Sequence, residues 1–204
     1  MALTSASGQN SFKLPEIKWS LDSKLIWIHN PGFFQSVDFN TLLTKAEQLC
    51  MVSTRSYYSK TRLSCVLTDW TSAPYDHLPT FRWTKFPEVD TIRQALIGYF
   101  NFSPDYVLIH IYPDGNSSIS YHNDKEALGS TPDKDTDIYS ASFGQARRFL
   151  FRPIGQTSGK SAEFSLGHGD LFIMKDQRHF EHHVPKETTV DKPRINLTFR
   201  QKPQ

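Results

Sequence analysis

The stretch of sequence that decides the fold is YVLIHIYPDGNSSISYH, residues 106–122. Two short runs rich in β-branched and aromatic residues, 106–112 and 118–122, enclose a Pro-Asp-Gly-Asn cluster that is typical of a turn. Runs of the same kind continue towards the C-terminus: DIYSASF (137–143), RRFLFR (147–152), EFSL (163–166), DLFIM (170–174) and RINLTFR (194–200). Many short strands separated by turn residues predict a β-sandwich or a barrel.

Two amphipathic helices are predicted ahead of this run of strands. In the first, VDFNTLLTKAEQL (37–49), apolar residues recur at helical spacing, and either Asp38 or Ser36 is suited to cap it. The second begins at Pro87, because proline is favourable in the first turn of a helix. We therefore expect an α+β fold that is mainly β, with the helices packed on one outer face.

The composition excludes several classes of protein. Of 204 residues, 38% are hydrophobic and 22% charged, which argues against wholesale disorder, and no apolar stretch is long enough to span a membrane. Two cysteines, Cys50 and Cys65, are too few for a disulfide framework, and the N-terminus lacks the features of a secretory signal. We expect a soluble intracellular protein, cytoplasmic or nuclear, with a flexible arm at 1–15, a single domain at 16–204 and a monomeric state.

The distribution of charge and of histidine adds a functional clue. Lys+Arg 23 against Asp+Glu 21 give a net charge of +2, which neither requires nor excludes nucleic acid as a partner. Aromatic residues make up 13% of the chain, as expected for a β-rich core. Six of the 8 histidines lie in the second half, among the predicted strands: His110, His122, His168, His179, His182 and His183.

Two of these histidines are candidate metal ligands. His122 and Asp124 are separated by one residue at the end of a predicted strand, so their side chains point to the same face and can converge on one ion. With His182 as the third ligand they form a 2-His-1-carboxylate triad, which leaves coordination positions open on Fe(II). The alternative interpretation is a simple turn in which Asp124 caps the backbone and His122 is solvated.

The last predicted strand presents cations and polar groups on one face. In RINLTFR, period 2 places Arg194, Asn196, Thr198 and Arg200 together, and the apolar residues on the opposite face. Two arginines inside a barrel need anionic partners, since an unpaired buried guanidinium is very costly. A dicarboxylate co-substrate supplies such partners. The alternative is an edge strand whose charges are solvated.

These motifs together resemble the AlkB family of Fe(II)/2-oxoglutarate dioxygenases. The resemblance rests on His122-Asn123-Asp124, on His182-His183-Val184-Pro185 and on the alternating strand at 194–200. Two further stretches support it, DIYSASFGQARRFLFR (137–152) and LIHIYPDGNSSISYH (108–122). The resemblance covers roughly residues 100–202 and implies a catalytic double-stranded β-helix, or jelly roll, in that range.

The resemblance also implies roles for individual residues. His122, Asp124 and His182 are the expected iron ligands, although a shift of one position exchanges His182 with His183. The expected 2-oxoglutarate residues are Tyr112 through its hydroxyl, Arg194 at the distal carboxylate, and Asn196, Thr198 and Arg200 lining the same pocket. Family members usually carry Asn where this chain has His110, and an imidazole can still donate one hydrogen bond to the co-substrate. Glu126 matches an acidic position that contacts the target base.

Residues 54–86 resemble the nucleotide-recognition lid of the family. The segment mixes aromatic and basic side chains, which suit stacking on bases and contact with phosphates. We expect the substrate to contact Tyr57, Tyr58, Arg62 and Trp70. The alternative is that these aromatic residues merely cover the barrel and the basic residues coat its surface.

The resemblance implies oxidative demethylation of N-alkylated bases in DNA or RNA. The reaction uses Fe(II), 2-oxoglutarate and O2, and it releases formaldehyde, succinate and CO2. The base must be flipped out of a duplex or already single-stranded to reach the iron. One alternative keeps the iron chemistry for the hydroxylation of a small molecule or a protein substrate, and another is a binding module without turnover.

Overall fold

The computed structural model describes residues 27–52, 61–71, 74–156 and 161–202. The expected arm at 1–15 and the two candidate residues Tyr57 and Tyr58 lie outside these ranges. The helices are α1 (Phe39–Leu49) and α2 (Pro87–Phe100), with 3-10 turns at Trp83–Lys85, Lys125–Ala127 and Pro132–Lys134. The strands are β1 (Trp27–Asn30), β2 (Met51–Val52), β3 (Leu63–Thr68), β4 (Thr80–Phe81), β5 (Tyr106–Tyr112), β6 (Ile119–His122), β7 (Ile138–Gly144), β8 (Arg147–Pro153), β9 (Ala162–Leu166), β10 (Asp170–Met174), β11 (Phe180–Val184) and β12 (Arg194–Arg200).

These strands form two sheets that share an apolar interior. The larger sheet has the order β1-β10-β7-β12-β5-β3-β2, with β4 beside β3, and the smaller has the order β6-β11-β8-β9. Ile138 and Phe172 of the larger sheet belong to the same buried cluster as Phe149, Phe151 and Phe180 of the smaller sheet. The prediction of a mainly β jelly roll with two helices is confirmed.

The two helices cover the outer face of the larger sheet. Leu42 of α1 and Ile92 of α2 are buried in one cluster with Leu197 of β12, on the side away from the smaller sheet. Helix α1 is capped by Asp38, whose carboxylate accepts a hydrogen bond from the Asn40 backbone N–H at 3.1 Å. Helix α2 begins at Pro87, as predicted.

Strand β12 lies in the middle of the larger sheet. It pairs with β5 on one side and β7 on the other, and all seven of its residues are buried. Ile195, Leu197 and Phe199 pack in the cluster beneath the helices, whereas Asn196, Thr198 and Arg200 face a cleft on the opposite side. The interpretation of this segment as a solvated edge strand is therefore wrong.

The two cysteines lie in the apolar core. Cys50 and Cys65 are both buried and free, and they pack in the cluster beneath the helices. The cysteines therefore act here as small apolar core residues.

Within the described ranges, no helix is both long enough and apolar enough to cross a membrane.

Candidate metal centre and active-site cleft

A cleft of about 580 Å³ is lined by both sheets and contains most of the candidate functional side chains. Its walls come mainly from β3, β5 and β12 of the larger sheet, from β6 and β11 of the smaller sheet, and from the residues before β3, before β4 and after β6. The candidate residues that line it are Arg62, His110, Tyr112, His122, Asp124, Glu126, His182, Asn196, Thr198 and Arg200. The sheets thus bring together residues that are far apart in the sequence.

The three candidate metal ligands converge on one wall of this cleft. Strand β6 ends at His122, and the antiparallel register of β11 places His182 directly opposite it, with the ring centroids 4.2 Å apart. Asp124 follows β6 at the start of a 3-10 turn, and its Oδ1 lies 3.8 Å from Nε2 of His122. Its Oδ2 lies 4.0 Å from Nε2 of His182. Among the described residues, this is the only group of three potential ligands found close enough to share an ion.

The donor set fits Fe(II). Two imidazole nitrogens and one carboxylate oxygen lie within 4.8 Å of one another, which matches the facial triad of non-haem iron oxygenases. Nδ1 of His122 donates a hydrogen bond to the Ser120 carbonyl oxygen at 2.9 Å, so the lone pair of Nε2 is available to a metal. The ring of Phe149 stacks against His182 at 5.4 Å and restrains its orientation.

The charges around the triad favour the ligand forms of Asp124 and His182. Burial alone raises the pKa of Asp124, but the Arg200 guanidinium and the two imidazoles hold that pKa well below its usual range. Nη2 of Arg200 donates to Oδ2 of Asp124 at 2.9 Å. Burial, assisted by His122, lowers the pKa of His182 to about 3, so its imidazole is neutral at physiological pH.

The structure brings His182, and not His183, to the triad. The two neighbours on β11 point to opposite faces of the strand because side chains alternate with period 2. His182 is buried beside Asp124, whereas the ring of His183 contacts Tyr121 at 4.8 Å on the other face. Of the two registers that the sequence left open, the geometry therefore supports His182.

A second group of candidate residues surrounds the Tyr112 ring. Arg194 lies opposite Tyr112 in the pairing of β12 with β5, and its Cζ lies 5.2 Å from the ring centroid. Nη2 of Arg194 donates to the Ser142 hydroxyl at 2.9 Å, whereas Nε and Nη1 are buried and have no hydrogen-bond partner among the described residues. Burial lowers the pKa of Arg194. A buried guanidinium with two unused donors indicates a site for an anion, and a carboxylate of 2-oxoglutarate fits this requirement.

His110 and Asn196 face each other between these two groups. Asn196 donates from Nδ2 to the Ser140 hydroxyl at 2.8 Å, which fixes the orientation of its amide. Nδ1 of His110 forms a 2.6 Å hydrogen bond with the hydroxyl of Ser64. Burial and the nearby Arg62 lower the pKa of His110 well below its ordinary value, so the ring is neutral. A fixed, neutral imidazole therefore stands where family members usually carry Asn.

The remaining wall of the cleft differs from what the sequence predicts. Glu126 lines the cleft, as expected. Trp70 is not among the described residues that line it, and its ring packs on the ring of Tyr106 with the centroids 5.3 Å apart. Tyr75 and His77 do line the cleft, although neither was predicted to take part in function. Both lie in the segment 54–86, whose aromatic and basic composition was the only sign in the sequence of a role in substrate binding. An irregular loop has no periodicity that identifies which of its residues face inward.

Comparison with known proteins agrees with the fold and with the expected family. The family model described as the 2OG-Fe(II) oxygenase superfamily matches residues 34–200. The chain is 38% identical over 132 residues to "Alpha-ketoglutarate-dependent dioxygenase alkB homolog 3" of Mus musculus, which is 60% of this chain and 44% of that protein. It is 36% identical over 126 residues to "DNA oxidative demethylase ALKBH2" of Homo sapiens, covering 56% and 46% of the two chains.

A solved structure entitled "The structure of OsALKBH1" has a similar fold. It superposes with a TM-score of 0.63 at 20% sequence identity, over 86% of this chain and 97% of that chain. The chain spans about half the length or less of the curated relatives described above. The resemblance to the AlkB family is confirmed, and the chain belongs to the 2OG-Fe(II) oxygenase superfamily.

Proposed function

We propose that this chain is an Fe(II)/2-oxoglutarate-dependent dioxygenase that removes N-linked alkyl groups from bases in DNA or RNA. The observation that carries the proposal is the convergence of His122, Asp124 and His182 on the wall of a cleft that also contains polar side chains of β12. Relatives named as DNA oxidative demethylases point to nucleic acid as the substrate class.

His122, Asp124 and His182 would hold the iron, which with 2-oxoglutarate and O2 supplies the oxidation of the N-linked carbon. Hydroxylation of an N-methyl group lets the carbon leave as formaldehyde, while 2-oxoglutarate is converted to succinate and CO2. The protein's own contribution is to position the reactants and to exclude water. Arg200 supports this by keeping Asp124 ionised and fixed in place.

We propose that the co-substrate occupies the part of the cleft between the triad and Tyr112. Arg194 would bind its distal carboxylate, because two of the Arg194 donors are buried and unused. The hydroxyl of Tyr112 and the side chains of Asn196 and Thr198 would complete that end. His110 would replace the usual amide as a hydrogen-bond donor, held in position by Ser64.

The alkylated base would enter along the wall formed by Tyr75, His77 and Glu126. Aromatic rings offer stacking surfaces to a flipped or single-stranded base, and a carboxylate can accept a hydrogen bond from an exocyclic amino group. The three side chains line the same cleft as the triad. Tyr57, Tyr58 and Trp70 are retained as candidates for contacts with the rest of the strand.

The direct test is formaldehyde release from N-methylated oligonucleotides. The protein would be incubated with Fe(II), 2-oxoglutarate and O2 in the presence of single- and double-stranded DNA and RNA, with unmethylated strands as the matched control. The proposal expects formaldehyde and succinate in equal amounts, and only with methylated strands. Conversion of 2-oxoglutarate that no oligonucleotide stimulates would instead favour a hydroxylase of a small molecule or a protein.

A further inference from the structure

Arg62 is a buried arginine beside the Tyr112 ring. It immediately precedes β3 and is only 6% exposed. In the antiparallel pairing of β3 with β5, Leu63 lies opposite Ile111, so Arg62 reaches the level of Tyr112. Its Cζ atom lies 5.7 Å from the centroid of that ring, and its side chain lines the cleft. Arg62 therefore belongs to the interior of the site and not to the outer surface.

Three guanidinium groups surround the Tyr112 ring, and they differ in how many of their N–H donors have a hydrogen-bond partner. Arg147 donates to the Glu187 carboxylate at 2.8 Å and to three backbone carbonyl oxygens. Among the residues that the structure describes, Nε and Nη1 of Arg62 are buried without a hydrogen-bond partner, and the same two atoms of Arg194 are also unused. Arg147 thus has a structural partner for its charge, whereas Arg62 and Arg194 have unused donors within the described part of the chain.

Two buried guanidinium groups with unused N–H donors beside one aromatic ring indicate that an anion binds close to them. Each buried guanidinium is costly without a counter-charge, and a carboxylate can accept paired N–H donors from a guanidinium. We propose that Arg62 binds the distal carboxylate of 2-oxoglutarate together with Arg194, and so determines the preference for a dicarboxylate. This inference rests on the proposed function, because it takes 2-oxoglutarate as the co-substrate of the cleft.

The position of Arg62 favours contact with the co-substrate over the predicted contact with the nucleic acid, which for a basic residue of the segment 54–86 would be to a phosphate. A phosphate on a bound strand remains attached to a bulky, hydrated backbone, whereas a small dicarboxylate can enter the cleft whole. Ser64, two residues further along the chain, holds His110 at 2.6 Å, so Arg62 belongs to the same group of side chains as the other proposed co-substrate residues.

The test compares two acids that differ only in the distal carboxylate. With Mn(II) in place of iron, calorimetry would measure the Kd of 2-oxoglutarate and of 2-oxopentanoate, which has the same chain length without that group. Arg62→Met should weaken 2-oxoglutarate about tenfold to a hundredfold, as expected for hydrogen bonds to a charged group, and leave 2-oxopentanoate unchanged. Arg62→Lys should retain part of the preference. Arg148→Met, which removes an exposed arginine paired with Glu163, is the matched control.

The ratio of the two dissociation constants distinguishes this role from the alternatives. Equal weakening of both acids would mean that Arg62 only supports the structure, and it would overturn the proposal. Unchanged 2-oxoglutarate binding with a higher KM for methylated oligonucleotides would assign Arg62 to the substrate phosphate and overturn it as well. If Arg62→Met does not fold, the same ratio measured with Arg62→Lys decides.

The titration contains no nucleic acid, so the two proposals can fail separately. A chain that binds 2-oxoglutarate through Arg62 and releases no formaldehyde from oligonucleotides contradicts the proposed function alone. A chain that releases formaldehyde with an unchanged ratio in Arg62→Met contradicts the assignment of Arg62 alone.

Discussion

At the scale of single residues, the triad illustrates how neighbours prepare a side chain for a metal. Arg200 and two imidazoles stabilise the negative charge of Asp124 in a buried position, and burial keeps His182 neutral. Both effects act in the direction that ligation requires, because metals bind carboxylates and neutral imidazoles.

His122→Ala, Asp124→Ala and His182→Ala should each reduce formaldehyde release to background while the fold is largely preserved. Each change removes one of three ligands, and two ligands hold Fe(II) too weakly for turnover. Calorimetry with Mn(II) should show the matching loss of metal binding. His183→Ala is the matched control, because His183 faces away from the site, and it should bind Mn(II) like the wild type. Wild-type turnover in any of the three triad variants would refute this assignment.

Arg194→Ala should raise the KM for 2-oxoglutarate by about a hundredfold, since it removes a buried, bidentate partner for a carboxylate. The effect on the KM for a methylated oligonucleotide should be small, because Arg194 contacts Tyr112 and Ser142 and not the substrate wall. Steady-state formaldehyde assays with each reactant varied in turn would measure both constants. An unchanged KM for 2-oxoglutarate would remove Arg194 from the co-substrate site.

At the scale of secondary-structure elements, capping and turn contacts set the positions of the helices and strands. Asp38 accepts hydrogen bonds from the Asn40 backbone N–H and from the Thr41 hydroxyl at the start of α1. Asp38→Ala should therefore lower the free energy of unfolding by about 0.5–2 kcal/mol, as measured by urea denaturation. Ser36→Ala is the matched control and should have no measurable effect. Equal losses in the two variants would contradict the assignment of the cap.

Asp170 connects two turns at the start of β10. Its carboxylate accepts hydrogen bonds from the Gly32 backbone N–H at 2.8 Å and the Gly167 backbone N–H at 2.9 Å. Burial opposes ionisation, but the hydrogen bonds from His29 and from the two backbone groups lower the pKa of Asp170 below its ordinary value. The stabilisation that results is present above the pKa of the unfolded chain, about 4, and is lost as the pH falls through the lower pKa of the folded state.

Asp170→Asn should thus be less stable than the wild type at pH 7, by about 1–3 kcal/mol, and the difference should shrink as the pH falls below about 4. Urea denaturation at a series of pH values from neutral to acidic measures this directly. Because the asparagine does not titrate, a constant difference at every pH would show that the carboxylate's charge is not responsible.

The helices and strands could be predicted where their sequence signals are local. Strands β5, β10 and β12 were predicted with the bounds that the structure shows, since each is a run of apolar or regularly alternating residues between turn signals. Strand β11 was not predicted as a strand, because Glu, His and His interrupt its apolar residues. The position of Arg62 depends on the register between β3 and β5, and no pattern local to Arg62 encodes that register.

At the scale of the whole molecule, the two sheets contribute different groups of candidate residues to the site. The smaller sheet and the residues that follow β6 provide the candidate metal ligands, whereas the larger sheet provides the candidate co-substrate residues. The net charge of +2 is small, so attraction of a nucleic acid would have to come from a local surface and not from the overall field. The sequence predicted both sets of residues, but the meeting of most of them in one cleft, with Arg194 behind Tyr112 and outside its lining, is a property of the fold.

We also propose that the protein acts as a monomer. Among the described residues, the large exposed apolar side chains are Met51, Val52, Tyr99 and Ile154. They come from β2, α2 and the turn after β8, so they do not suggest one extensive interface. Light scattering after size exclusion should give the mass of one chain at micromolar concentration. A concentration-dependent mass of two chains would contradict this expectation.

The central position of β12 has a consequence for the evolution of this protein. One face of the strand supports the packing of both helices, and the other carries the side chains assigned to 2-oxoglutarate, so none of its seven positions faces solvent. Insertion or deletion of one residue would exchange the two faces, and it would disrupt both the packing against the helices and the proposed co-substrate site. This strand should therefore tolerate little sequence drift, and new specificities should arise instead through changes in the loops that border the cleft.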